Sequence, residues 1–281
     1  DNAKLTINNS GVLKVDSSAS YAAIRSVGED AEIHINGSVE IDGNNDLLAI
    51  GAYDLGKTYV SNGTIVGGIV ATDGGSVFVN NDNAENKVVI TGDIEAKKDS
   101  KVTINFNTAD SKLDGNVYGE GLVDLSFANE SVWTGYSNAE GLALALNNST
   151  WNNTGSSKVQ SVTANKGVVN MTNASSGDVT IANYSGSMVV LYNHSIADDA
   201  TSTMTGGKVV TVNGGNITIG SAATGAEITL RTDRNGLNLE SSIYTDKNLV
   251  NATLDALANK LFYTAYTTGE TNLKGYVEIA E

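Results

Sequence analysis

Short runs of alternating apolar and polar residues recur from the first residues to about position 230, each bounded by Gly, Asn or Asp. Lys4–Asn8 (KLTIN), Val12–Asp16 (VLKVD), Ala31–Asn36 (AEIHIN), Ser76–Asn80 (SVFVN), Lys101–Phe106 (KVTINF) and Lys208–Val212 (KVVTV) show the pattern. Period-two alternation enriched in Val, Ile and Thr predicts short strands. Asn36-Gly37, Asp42-Gly43, Asn62-Gly63 and Asp114-Gly115 are hairpin signals when taken singly. Yet the phrase of strand, corner and strand continues through most of the chain with no domain break. Irregular coils of roughly 20–25 residues, each holding about three strands, describe it better, and such coils stack into a solenoid. Roughly ten coils at about 4.8 Å spacing predict a rod on the order of 50 Å long.

One segment departs from this period. Between Asp246 and Tyr266, Val250, Leu254, Leu257 and Leu261 fall at the spacing of an amphipathic helix, with Thr245 or Asp246 to cap its start and Gly269 to end it. A helix there predicts a lid over the apolar mouth of the last coil, which a solenoid needs. Asn272–Glu281 alternates again and predicts one more strand. The expected architecture is therefore all-β, a parallel β-helix rod over residues 1–245, with a C-terminal helix plus strand over residues 246–281 as cap and junction.

Composition agrees with stacking. The 281 residues include 30 glycines and no proline, with 40% hydrophobic and 17% charged residues. Proline would remove a ladder donor from a coil, whereas Gly and Asn adopt the left-handed backbone of tight corners at little cost. Asn and Thr at equivalent corners would pile into polar ladders. Without cysteine the fold has no disulfides to rely on, and no apolar run is long enough for a membrane-spanning helix. No signal peptide opens the chain, so Asp1 is expected to begin a processed protein or a fragment.

Charge narrows the partners. Seventeen basic against 32 acidic residues leave a net charge of −15, which speaks against nucleic acid and against an anionic lipid surface.

Several phrases carry a family resemblance. Ser131–Asn138 (SVWTGYSN), Leu142–Asn148 (LALALNN), Trp151–Gly155 (WNNTG) and Lys166–Met171 (KGVVNM) resemble the C-terminal part of bacterial autotransporter passenger domains. Leu257–Thr268 (LANKLFYTAYTT) and Gly275–Glu281 (GYVEIAE) resemble the segment just before the membrane barrel of such proteins. The resemblance covers about the last 150 residues. It implies a right-handed β-helix exported by type V secretion and displayed at the outer membrane on the cell surface, most often as an adhesin in colonisation or biofilm. The barrel strands themselves are not expected in this chain, so the passenger is not membrane-inserted.

Candidate chemistry is sparse. A Ser-His-Asp arrangement would have to use His34 or His194, which lie far apart in coil order, and both are expected at the surface; His34 alternates with Ile33 and Ile35. Glu29, Asp30, Glu32, Glu40, Asp42, Asp46 and Asp54 form a stretch without Lys or Arg between Arg25 and Lys57. It is expected to be solvated carboxylates at coil corners, with a calcium site or a basic partner as the alternative. Asp42–Asp46 (DGNND) and Asn80–Asn83 (NNDN) offer oxygen ligands but lack the spacing of a calcium loop. Tyr53, Tyr59 and Phe78 lie on neighbouring expected coils where aromatic side chains anchor glycans or proteins, although Phe78 between Val77 and Val79 suits core packing. Trp133 and Trp151 are expected to be structural. Asn-x-Ser/Thr sequons, Asn62 and Asn193 among them, follow from composition. No catalytic residue, metal ligand or cofactor site is assigned. The expected function is binding of a host or bacterial surface protein or glycan, with self-association of rods and a polysaccharide lyase or glycosidase as alternatives.

Overall fold

The computed structural model describes residues 3–16, 21–43, 48–198, 200–201, 207–234 and 237–259. It is a parallel β-solenoid of about 8 turns. Side-chain bonds between neighbouring coils link residues 28 apart at Asn8 and Asn36 but only 18 apart at Asn147 and Asn165, so coil length varies along the rod.

Each coil contributes to three ladders. In the first, Ile35, Val60, Val79, Ile104, Leu125 and Leu144 stand in register on successive strands. In the second, Ile41, Ile65, Ile90, Leu113, Trp133 and Trp151 do the same. The third runs through Ile24, Ile50, Ile69, Ile94 and Val117. All of these side chains are buried and form one core. Alternation is the local cause: in Lys101–Phe106, Val102, Ile104 and Phe106 face inward while Lys101, Thr103 and Asn105 face out.

Corners are fastened by polar side chains. Asn36 Nδ2 donates to Asn8 Oδ1, Asn165 to Asn147 and Asn170 to Asn152, at 2.8, 3.1 and 3.0 Å. The expected asparagine ladders are therefore present. Aspartate serves the corners as well: Asp30, Asp54, Asp73 and Asp99 have φ of 65°, 50°, 54° and 64°. The four hairpin signals do not make hairpins, because the strands around them pair in parallel with the next coil. Gly115 and Gly135 are required by close approach, since a Cβ on either would lie 2.0 Å from the carbonyl oxygen of Gly92 or Gly115 below it. The same carbonyl column solves a second problem. Trp133 and Trp151 are fully buried and stacked at 4.7 Å, and their indole N–H groups donate to Gly115 O and Gly135 O. Both tryptophans are structural, as expected.

Two antiparallel pairings interrupt the stack near its C-terminal end. Val179–Asp198 pairs with Lys208–Asn213, and Glu227–Arg234 with Leu237–Thr245. His194 lies in the first of these, opposite Val212, and is only 6% exposed. The surface position expected for it is thus corrected: His194 continues the buried alternation of Met188, Val190 and Tyr192, the last with its ring 5.8 Å away.

The cap also differs from the expected continuous helix. Asp246–Leu249 forms one turn, Asn251 takes φ of 58°, and a second helix spans residues 254–259. Edge pairing overrides the helical period here, because Asn251 N–H donates to Ile219 O and Thr253 bridges Thr218. Thr245 makes no side-chain cap bond; Thr253 Oγ1 instead accepts from Ala256 N–H. Val250 is 44% exposed, and Leu249 takes the buried place expected for it. Leu249, Leu254 and Leu257 then close over Ile217, Ile219, Ile228 and Leu230. Asp255 pins this lid by accepting from Val212 N–H and Asn216 Nδ2. Leu261, Gly269 and the strand expected at Asn272–Glu281 lie outside the described residues.

The lid generates a prediction. Leu254→Asp combined with Leu257→Asp places uncompensated charge in a dry seam and should cost about 3–5 kcal/mol. Circular dichroism melting should fall by roughly 10 °C, while exposed Ala256→Asp should leave it within a degree or two. Unchanged melting of the double variant would mean that these helices do not hold the end of the stack.

Candidate ligand-binding face

Outward positions of the first ladder line up as strictly as inward ones. Thr6, His34, Tyr59, Phe78, Thr103, Asp124 and Ala143 occupy one outward row on successive strands. His34 and Tyr59 stack at 4.4 Å with planes 12° apart, and Tyr59 and Phe78 at 4.7 Å with planes 9° apart. The spacing of parallel strands, about 4.8 Å, is close to a favourable aromatic stacking distance, so like residues in register stack without rearrangement. Val77 and Val79 are fully buried while Phe78 lies between them on the outer surface, which corrects the core position suited to it by sequence. The outward orientation expected for His34 is observed.

Tyr53 does not belong to this row. It sits on the third ladder beneath Arg25, whose guanidinium lies 4.9 Å from its ring and 5.4 Å from that of Tyr21.

Charges flank the aromatic row. Glu32 bonds His34 Nε2 at 3.0 Å and Lys4 Nζ at 3.1 Å, with Lys57 at 4.0 Å. Those partners, His34 first, hold the Glu32 carboxyl below its ordinary value of 4.5. Beyond Phe78 the face changes character. Lys101 pairs with Asp124 at 2.8 Å, and a shallow groove of about 180 Å³ follows, lined by Asn105, Asp124, Ser126, Ala143, Ser161 and Thr163 among others. Leu122 stands beside it, 58% exposed. None of these groove residues stood out in the sequence, since small residues carry no signal until the coil register is known.

The acidic stretch is dispersed. Asp30 and Asp54 form corners, Glu40 pairs with Lys14 at 2.9 Å, and Asp46 lies outside the described residues. Among the described residues no group of three or more His, Asp or Glu is placed to share a metal ion. Part of NNDN serves as a fastening: Asn80 Oδ1 accepts from Ala84 N–H, Asn80 O from Asn105 Nδ2, and Asn83 O from Asn107 Nδ2. His34 on the second coil and His194 on the C-terminal hairpin are not brought together. A second outward pair, Tyr118 and Tyr136, shares a hydroxyl bond of 2.8 Å; burial and that bond push the Tyr118 phenol up to about 12.

Comparison with known protein families, characterised proteins and solved structures finds no match to this chain.

The Glu32 cluster makes a prediction about pH. A carboxyl whose folded value is depressed contributes stability above its ordinary value, and that contribution is lost as pH falls through the folded value. Acidification below about 4.5 should therefore loosen the strand Glu32–Asp42. Amide exchange there, corrected for its intrinsic pH dependence, should rise, and Glu32→Gln should flatten that rise. An identical acid response in the variant would remove Glu32 from the account.

Proposed function

We propose that this chain is a stretch of bacterial passenger domain of the autotransporter kind, displayed on the cell surface as an adhesive rod that binds host or bacterial surface molecules. The observation that carries the reading is the aromatic row on the outer face of the first ladder. The inward columns already complete the core, and His34, Tyr59 and Phe78 add apolar and aromatic surface on the solvent side of it. Such rings anchor recognition surfaces. The tryptophan phrases Ser131–Asn138 and Trp151–Gly155, and the absence of proline and cysteine, support the passenger assignment by resemblance and composition.

The two alternatives draw less support. Self-association through asparagine ladders would need amides free to reach another rod, whereas Asn36, Asn105, Asn129, Asn165 and Asn170 each donate within their own solenoid. A lyase would need calcium-holding carboxylates beside a base. No three-carboxylate group of that kind occurs among the described residues.

Beads carrying the purified chain should adhere to epithelial cells or to immobilised matrix proteins, and soluble chain should compete that adhesion away. The chain should leave polygalacturonate and hyaluronan at full length. Adhesion no greater than that of uncoated beads would defeat the proposal, as would polysaccharide cleavage abolished by a single carboxylate substitution.

A further inference from the structure

The aromatic run ends at Thr6 beyond His34 and at Thr103 beyond Phe78, and on the Phe78 side a groove begins two strand steps away, at Asp124. Tyr59 covers one face of Phe78. The next residue in the row is Thr103, too short to cover the other, and beyond it stands Asp124. Two strand steps separate Phe78 from Asp124, about 10 Å along the rod, with only Thr103 between them. A pyranose ring packed on the phenyl face takes up about 4 Å. A hydrogen bond of about 2.8 Å from a sugar hydroxyl to the carboxylate, added to the reach of that hydroxyl, accounts for most of the rest.

The chemistry of the walls narrows the ligand. Stacking on an aromatic face selects an apolar patch of C–H groups. The Asp124 carboxylate accepts hydrogen bonds from hydroxyls and repels anions, and the molecule as a whole carries −15. Lys101 fixes that carboxylate in place at 2.8 Å, and exposed Leu122 adds apolar surface beside it. Past Asp124 the small side chains of Ala143, Ser161 and Thr163 leave the groove open along the rod axis, with room for sugars attached to the first.

We infer that the outer face from Phe78 to Thr163 is a binding cleft for a neutral oligosaccharide. Phe78 stacks on one pyranose ring, Asp124 accepts from its hydroxyls, and the chain of sugars continues along the groove. The inference rests on the adhesive reading above and gives it a ligand class and a place. Tyr59 offers only its ring edge, since His34 and Phe78 occupy its two faces, and the His34 ring is tied at its edge to Glu32, so they support the platform.

The test uses the whole chain with lactose and cellotriose as neutral probes and trigalacturonate as the anionic control, read by saturation-transfer NMR and calorimetry. Neutral probes should bind with Kd on the order of millimolar, and trigalacturonate at least about tenfold more weakly. Phe78→Leu should weaken neutral binding about tenfold while Phe78→Trp keeps it, because the second retains a stacking face. Unchanged melting temperatures in both variants confirm that the fold is intact. Absence of neutral-sugar binding, equal binding of trigalacturonate, or equal affinity in Phe78→Leu would each overturn the inference. Should the beads adhere to cells or matrix while sugars do not bind, the cleft fails and the adhesive reading stands; failure of both removes the reading itself.

Discussion

Everything in this molecule depends on parallel strands repeating in register about 4.8 Å apart. At that spacing a side chain's nearest neighbours are its counterparts one coil above and below, so each position must be compatible with copies of its own kind. Apolar positions become columns such as Ile41, Ile65, Ile90, Leu113, Trp133 and Trp151. Polar corners become asparagine pairs whose amides satisfy one another. Glycine is forced where one backbone rests on the next, as at Gly115 and Gly135, and the carbonyls of those glycines are what the buried indoles bond to. Core, corners and tryptophans are thus consequences of a single distance.

The same constraint explains what was legible in the sequence. Alternation marks a strand and Gly, Asn or Asp marks a corner without knowledge of any partner, so the solenoid, its strands and the outward side of His34 could be read directly. Register could not, because coil length changes from 28 to 18 residues along the rod. A shift of a residue or two decides that Phe78 lies over Tyr59 and that Tyr53 lies elsewhere. It also hides the groove, whose Ala143 and Ser161 mean nothing until they are placed beside Asp124. At the C-terminal end the failure was of another kind. The helical period of Val250, Leu254 and Leu257 is real, but the last coil offers an unpaired edge at Ile219, and pairing with it breaks the helix at Asn251. Tertiary hydrogen bonding outweighed a propensity worth tenths of a kcal/mol per residue.

Charge placement follows from being a rod with two kinds of surface. Asp30, Asp54, Asp73 and Asp99 sit exposed at corners with left-handed backbone, where aspartate is conformationally suitable. A column of like charge at corner spacing disfavours lateral pairing of rods. The first ladder's outer face is built differently: Lys4, Lys57 and Lys101 meet Glu32 and Asp124 there, so its charges are compensated locally. That face can approach another molecule with less repulsion than the corners meet.

Stacking by itself gives a structural purpose to part of the outer row. Aromatic pairs contribute about 0.5–1.5 kcal/mol beyond the area they bury, and Tyr59, covered on both faces, is fully accounted for by that gain. His34 is accounted for by Tyr59 on one side and by Glu32 at its edge. Phe78 gains the same from Tyr59 on one face. On its other side the row continues through Thr103 to the Asp124 carboxylate held by Lys101, two strand steps away. Stability explains the interior of the run, and the proposed sugar cleft assigns a use to its Phe78 end.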